Sequence, residues 1–262
     1  MTTLLVLLIV AYGGLILLGI LSDRLIFQPR HSSYTDSPNI LKFRSGDRQI
    51  SAIYMPAENI NYVLLFSHGN AEDIGQNVPW FRELNGAGFS VFAYDYRGYG
   101  TSEGSSSEKT VYEDVMGAYD YLTGTLHIEP DRIISVGRSL GCAAAIDIAY
   151  RKPVAGLVLQ APFLTAFRVL TRVPLLPFDR FRNDKKIGFI HAPVLIIHGR
   201  KDEVVPFQHG EALFQMANEP KKFVPVDDAG HNDLLFIAGD EYMRQLRQFT
   251  DSLPEPKSSL AK

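Results

Sequence analysis

The sequence predicts an α/β domain built on a mostly parallel sheet with helices packed on both faces. Three observations carry this expectation. From residue 62 onward, short and nearly continuous apolar runs alternate with longer amphipathic segments, the pattern of strands buried on both faces and joined by crossover helices. A glycine-bounded turn, Gly137-Arg138-Ser139-Leu140-Gly141, separates one such run from an Ala-rich helical stretch. A chain of 262 residues, 46% hydrophobic and 21% charged, is long enough for one large domain of this kind, and two full domains would be crowded.

Taken in order, residues 4–21 carry no charge and are about long enough to span a bilayer. We therefore expect a transmembrane anchor over 1–22, making the protein single-pass. A cleaved signal peptide fits less well, because only Thr2 and Thr3 precede the apolar run and "GILSDRL" after it offers no clear cleavage site. A buried core helix is the other alternative. Arg24 and Arg30 follow the run, countered in part by Asp23, and tilt the expected orientation toward a cytoplasmic catalytic domain. Residues 23–39 are rich in turn formers and read as a linker.

The domain itself is expected over 40–253. It opens with a hairpin of residues 41–44 and 49–55. Strands follow over 62–67, 89–94, 132–136, 156–160, 194–198 and 222–226, and helices over 108–122, 140–151, 208–217 and 233–250. Between 163 and 188 the alternation lapses into an apolar, arginine-rich excursion longer than an ordinary connection, read as a small cap insertion. Residues 254–262 read as a flexible tail.

The glycine-bounded turn carries the chemistry. A sharp strand-to-helix turn needs glycines because neighbouring side chains would collide, and it lifts one serine hydroxyl above the sheet edge. The plainer alternative is a turn whose serine only caps the helix. A nucleophilic serine needs an imidazole to take its proton and an acid to hold that imidazole in the right tautomer. Of seven histidines, His31 lies in the linker, His127 in a turn, His191 before a strand and His209 on a surface-looking helix. His68 and His198 end strands beside glycines, where packing or backbone hydrogen bonding is the usual task. His231 follows the last strand and completes the order Ser, Asp, His along the chain.

The acid is then sought after a strand between Ser139 and His231. Asp202 in "VLIIHGRKDEVVP" fits, with Glu203 its nearest competitor, while Asp95 precedes the serine. The expected oxyanion donors are the N–H groups of Leu140, at a helix start, and Asn70, which ends "FSHGN", with Ala71 as the substitute. Cys142 has no second cysteine to pair with and reads as a small buried hydrophobe. A net charge of −3 gives no basic surplus to hold a phosphate backbone, so nucleic acid is not an expected partner. No metal and no organic cofactor is implied.

The stretches "LLFSHGNAEDIG", "VFAYDYRGYGTSEG", "VGRSLG", "VLIIHGRKDEVVPFQHGEALF" and "DAGHNDL", in that order over residues 62–249, resemble the α/β-hydrolase-fold serine hydrolases. More narrowly, they resemble the membrane-associated branch that includes protein depalmitoylases and related bacterial-type hydrolases. The resemblance implies a triad at Ser139, Asp202 and His231. It departs in one respect: the palmitoyl-thioesterase members carry an N-terminal cysteine cluster for lipidation, and this chain has an apolar segment there instead. The expected function is a membrane-anchored serine hydrolase acting on carboxylic esters or thioesters through an acyl-enzyme, on acyl lipids or lipidated substrates. A prolyl-peptidase-like enzyme and a non-catalytic scaffold on the same fold are the alternatives. In the cap, Phe163, Leu164, Phe167, Val169, Leu170, Leu175, Leu176 and Phe178 are candidates to line an acyl pocket. Arg168, Arg172, Arg180 and Arg182 are candidates to face anionic head groups, against the plainer reading of packing with solvated arginines.

Overall fold

The structure, a computed structural model, describes residues 2–58, 61–171 and 178–256. Two helices, α1 (Thr2–Ile20) and α2 (Asp23–Ile26), precede a hairpin of β1 (Leu41–Ser45) and β2 (Arg48–Met55). Strands and helices then alternate: β3 (Val63–Ser67), α3 (Val78–Gly86), β4 (Ser90–Tyr94), α4 (Glu108–Asp120), β5 (Ile133–Arg138), α5 (Gly141–Arg151) and β6 (Gly156–Gln160). After β6 come α6 (Ala166–Thr171), β7 (Val194–Gly199), α7 (Gln208–Met216), β8 (Lys221–Val226) and α8 (Leu234–Asp251).

The eight strands form one sheet in the order β1-β2-β4-β3-β5-β6-β7-β8. Only the β1–β2 and β2–β4 pairings are antiparallel. The parallel pairings from β4 to β8 bring the strand ends that carry Ser67, Tyr94, Arg138 and Gly199 to one edge, which is where open α/β sheets collect their chemistry.

Side-chain alternation along the strands builds the core on both faces. Val63 and Leu65 point toward α4 and α5, where they meet Val111, Val115, Ala143 and Ala144. Leu64 and Phe66 point the other way and pack with Trp80 and Phe81 of α3 and Tyr242 and Leu246 of α8. Burial on both sides is why these strands read as unbroken apolar runs.

Helix α3 was not expected, because its nine residues (VPWFRELNG) are short and carry a proline. The proline sits in the first turn, where its missing N–H costs nothing, and Trp80, Phe81 and Leu84 supply a buried stripe at helical spacing.

The expected membrane-spanning helix needs correcting. Helix α1 is uncharged over its 19 residues, but among the described residues no helix is long and apolar enough to cross a membrane. Of the cap, Arg172, Leu175 and Leu176 lie outside the described residues, as does the Leu170 side chain. Arg180 and Arg182 are not free cations directed at head groups. Arg182 makes a two-pronged contact with Asp184 at 2.8 and 2.9 Å, and Arg180 lies 3.8 Å from Glu108.

Candidate active site

Strand β5 runs into α5 through Ser139, whose φ of +50° lies in the left-handed region, a strained setting for a non-glycine residue. The turn closes only because its flanks lack side chains. A Cβ on Gly137 would stand 2.5 Å from the Gly141 carbonyl oxygen, and one on Gly141 would collide with the Ser67 carbonyl of β3. The result holds the Ser139 hydroxyl above the sheet edge.

Two loops from the same edge reach it. His231, beyond β8, places Nε2 3.0 Å from Ser139 Oγ and Nδ1 2.8 Å from Asp202 Oδ2. A carboxylate only accepts, so the His231 proton sits on Nδ1 and the Nε2 lone pair faces the serine hydroxyl. The other oxygen of Asp202 accepts from the N–H groups of Val204 and Val205 at 2.9 and 2.7 Å. Burial opposes ionisation of Asp202, but hydrogen bonds from His198 and His231, with the Val205 amide, outweigh it and hold the carboxyl well below the usual carboxylate range.

The structure thus brings Ser139, Asp202 and His231 together. It also adds His198, whose Nε2 lies 3.0 Å from the Val205 carbonyl and 3.3 Å from Asp202 Oδ2. A carbonyl accepts only, so this Nε2 carries the proton and stands as a second donor on the same carboxylate. Three hydrogen bonds thus hold Asp202, and the His198 Nε2–H, shared with the Val205 carbonyl, adds a longer fourth contact. The carboxylate of Glu203, the competing acid, lies near Gly230 instead.

The candidate oxyanion donors are Asn70 and Leu140, and among the described residues the backbone N–H of neither has a hydrogen-bond partner. The Asn70 side chain is hydrogen-bonded through both its oxygen and its nitrogen, which fixes its main chain. Its Oδ1 accepts from Tyr99 Oη at 2.6 Å and from the Gln28 N–H at 3.1 Å, and its Nδ2 donates to the Ile26 carbonyl at 2.6 Å. Ala71, the substitute, has a positive φ of 59° and donates its N–H to Asn70 Oδ1 at 3.0 Å. Glu72 ties this turn to the serine turn, accepting from the Gly69 N–H at 2.5 Å and from Arg138 Nη1 at 3.2 Å.

The remaining histidines divide as follows. His68 is sealed against Asp95, and His209 is buried rather than on the surface, at 6% exposure. His209 Nδ1 accepts from the Leu164 N–H at 3.1 Å. Burial, with the neighbouring His198, lowers its pKa and keeps it neutral. Cys142 is buried with Sγ 3.2 Å from the Gly137 carbonyl, and burial pushes its thiol far up, so it offers no thiolate.

Ser139, Asn70 and Leu140 open onto a cavity of about 510 Å³ whose other walls are mostly apolar. Phe163, Phe167, Val169 and Phe178 come from the cap, Val204 and Val205 from the Asp202 loop, and Leu15, Leu18 and Gly19 from α1. Among the described residues, groups of His, Cys, Asp and Glu able to hold a metal ion are absent. The backbone hydrogen bond expected of His198 is present, to the Val205 carbonyl, but its approach to Asp202 and the Glu72 and Ile26–Gln28 contacts were missed by sequence reasoning. The "HGRKD" spacing, which sets His198 four residues before Asp202, was the one local signal available.

A family profile described as serine aminopeptidase, S33, matches residues 58–177. The α/β hydrolase domain-containing protein 17B of Xenopus tropicalis is 39% identical over 207 residues, covering 78% of this chain and 71% of that protein. Its Homo sapiens counterpart is 38% identical over the same shares. Among solved structures, an esterase of Pyrococcus furiosus superposes with a TM-score of 0.73 at 18% identity, covering 86% of this chain and 99% of its own, and so shares the fold.

Proposed function

The chain belongs to the α/β-hydrolase domain-containing family, serine hydrolases of the esterase/thioesterase type, and from that premise we propose that it cleaves acyl esters or thioesters at a membrane surface through an acyl-enzyme on Ser139. The observation that carries this reading is the unbroken line from Ser139 Oγ to His231 Nε2 at 3.0 Å and from His231 Nδ1 to Asp202 at 2.8 Å, opening onto an apolar cavity.

In the proposed reaction Ser139 Oγ attacks the acyl carbonyl carbon as its proton passes to His231 Nε2. The carbonyl oxygen becomes an oxyanion held by the N–H groups of Asn70 and Leu140. The C–O or C–S bond to the leaving group breaks, and His231 returns its proton to the departing alkoxide or thiolate. Water then attacks the acyl-enzyme, giving up a proton to His231. The second tetrahedral intermediate collapses to free acid and the Ser139 hydroxyl. Asp202 stays ionised throughout and stabilises the imidazolium.

The family profile's description favours one second reading, a peptidase that recognises a free amino terminus. Such a site needs an uncommitted carboxylate near the serine. Among the described residues the acid on the cavity wall is Asp179, and it already accepts from Thr165 Oγ1 and from the N–H groups of Phe167 and Arg180 at 2.5, 2.9 and 2.7 Å. The acyl reading is therefore preferred. Purified protein should hydrolyse p-nitrophenyl acyl esters and acyl thioesters, lose both with Ser139→Ala, and leave aminoacyl p-nitroanilides intact. Turnover of the anilides with no turnover of the esters would reverse the choice.

Membrane holding rests on α1, where Val6, Leu7, Ile9, Val10 and Leu17 are exposed, and on Phe236, 92% exposed just beyond the His231 loop. Apolar side chains of this size each gain roughly 1.5–3 kcal/mol when buried. The protein should co-float with phosphatidylcholine vesicles, and recovery in the lipid-free fraction would count against the assignment.

A further inference from the structure

The cavity above Ser139 is walled on one side by the N-terminal helix, and the seating of that helix is specific. Leu15, Leu18, Gly19 and Ser22 all face the cavity, and their spacing of i, i+3, i+4 and i+7 is one face of a helix. The chain just after α1 is pinned at three points. Ser22 is 3% exposed and its Oγ accepts from Arg180 Nε at 3.4 Å. Phe27 is buried and meets Phe181 edge-on at 6.0 Å. Ile26 and Gln28 clamp the Asn70 side chain through the carbonyl of one and the N–H of the other. The helix that carries the exposed apolar face is thus fastened to both the cap and the oxyanion turn. Leu15 and Leu18 keep 46% and 56% of their surface exposed while lining the cavity.

We propose that α1 is the specificity wall of the site: the acyl chain of the substrate, joined at its carbonyl to Ser139, lies along the stripe of Leu15, Leu18 and Gly19, so that this helix sets the length of chain accepted. The inference rests on the acyl-hydrolase reading above and adds the residues that select the substrate. Gly19 lines the cavity without a side chain, so it is the position on this stripe where a large side chain adds most to the wall.

The test is a chain-length profile on the full chain, reading the ratio of kcat/KM for dodecanoyl over butanoyl p-nitrophenyl esters. Gly19→Phe, which fills the wall, is expected to lower the ratio at least about tenfold, on the scale by which hydrophobic pockets discriminate substrates. Leu15→Ala, which removes part of the wall, is expected to raise it. Opposite shifts are a signature that a merely structural contribution of the helix would not give. If the wild type hydrolyses both esters and the ratio stays at its wild-type value in both variants, α1 is not the wall and the proposal falls while the acyl-hydrolase reading stands. If the wild type hydrolyses neither ester, that reading fails and takes the proposal with it. Should Gly19→Phe fail to fold, the direction of the Leu15→Ala shift decides.

Discussion

Two of the buried imidazole–carboxylate contacts at the carboxyl edge of the sheet invite comparison, His231–Asp202 beyond β7 and β8 and His68–Asp95 beyond β3 and β4. In both the ring nitrogen lies about one hydrogen bond from the acid, at 2.8 Å in the first and 3.1 Å in the second. They differ in what the other nitrogen meets. His231 Nε2 faces a serine hydroxyl at the mouth of a cavity. His68 Nδ1 lies 2.7 Å from the Gly69 carbonyl, and the ring is fully buried between Tyr96 and Tyr99. Asp95 is likewise used up, accepting from Tyr34 Oη and from the Ile74 N–H. The comparison teaches that an imidazole–carboxylate pair is not itself a catalytic sign. Reactivity requires an uncommitted lone pair aimed at a nucleophile, and the pair without one is a structural fastening.

Substitutions should separate the two pairs most sharply in kcat. Removing Ser139 or His231 is expected to lower kcat roughly 10⁶-fold, each alone costing about as much as both together. Asp202→Asn should lower it roughly 10⁴-fold by releasing the tautomer, with binding of the folded protein to substrate largely retained. Steady-state kinetics on a p-nitrophenyl ester read all three. Losses that simply multiplied in the Ser139→Ala, His231→Ala double variant would break the picture of one working unit.

For the sealed pair the effect moves to stability. Asp95→Asn leaves His68 without its charge partner, and breaking a buried pair costs about 3–5 kcal/mol. Denaturant unfolding should register that loss, while kcat per folded molecule falls far less than with Asp202→Asn. An equal fall in kcat would place Asp95 in the reaction.

The pH dependences should run in opposite directions. The Asp202 carboxyl is held below its ordinary value, so its stabilising contribution is complete above the unfolded value of about 4 and disappears as the pH falls through the depressed folded one. The destabilisation by Asp202→Asn should therefore shrink in acid. Burial works against protonation of His68, but the hydrogen bond and charge of Asp95 outweigh it and raise its pKa. That contribution is complete below about 6.5 and is lost as the pH rises through the raised value, so His68→Gln should cost most in mild acid and least in alkali. Thermal melts across pH check both signs. Because Asp202 stays ionised, an acid limb of kcat/KM near neutrality does not report this carboxylate.

What the sequence revealed follows the range of the interactions involved. Ser139 was readable because its turn is written in adjacent residues, and Asp202 and His231 because each sits in a loop directly after an apolar run, in the order the fold uses. The strand runs were readable because burial on both faces leaves no polar interruption. His198 was passed over because what distinguishes it is its approach to Asp202 at 3.3 Å, and its neighbour Gly199 favoured a packing role. His209 read as a surface residue because helical spacing alone does not tell which face the cap covers. Glu72 and Gln28 were invisible for the same reason: their partners, Arg138 and Asn70, lie 66 and 42 positions away. The apolar N-terminal run was legible as a helix, but its place against the catalytic cavity depends on Ser22, Phe27 and Gln28 meeting residues far along the chain.

The most direct test of the catalytic assignment is trapping of the acyl-enzyme. Brief incubation with a long-chain acyl p-nitrophenyl ester, acid quench and peptide mapping by mass spectrometry should find the acyl group on Ser139, accumulating further in a variant whose deacylation is slowed. An acyl group on another residue, or steady turnover undiminished in Ser139→Ala, would contradict the account.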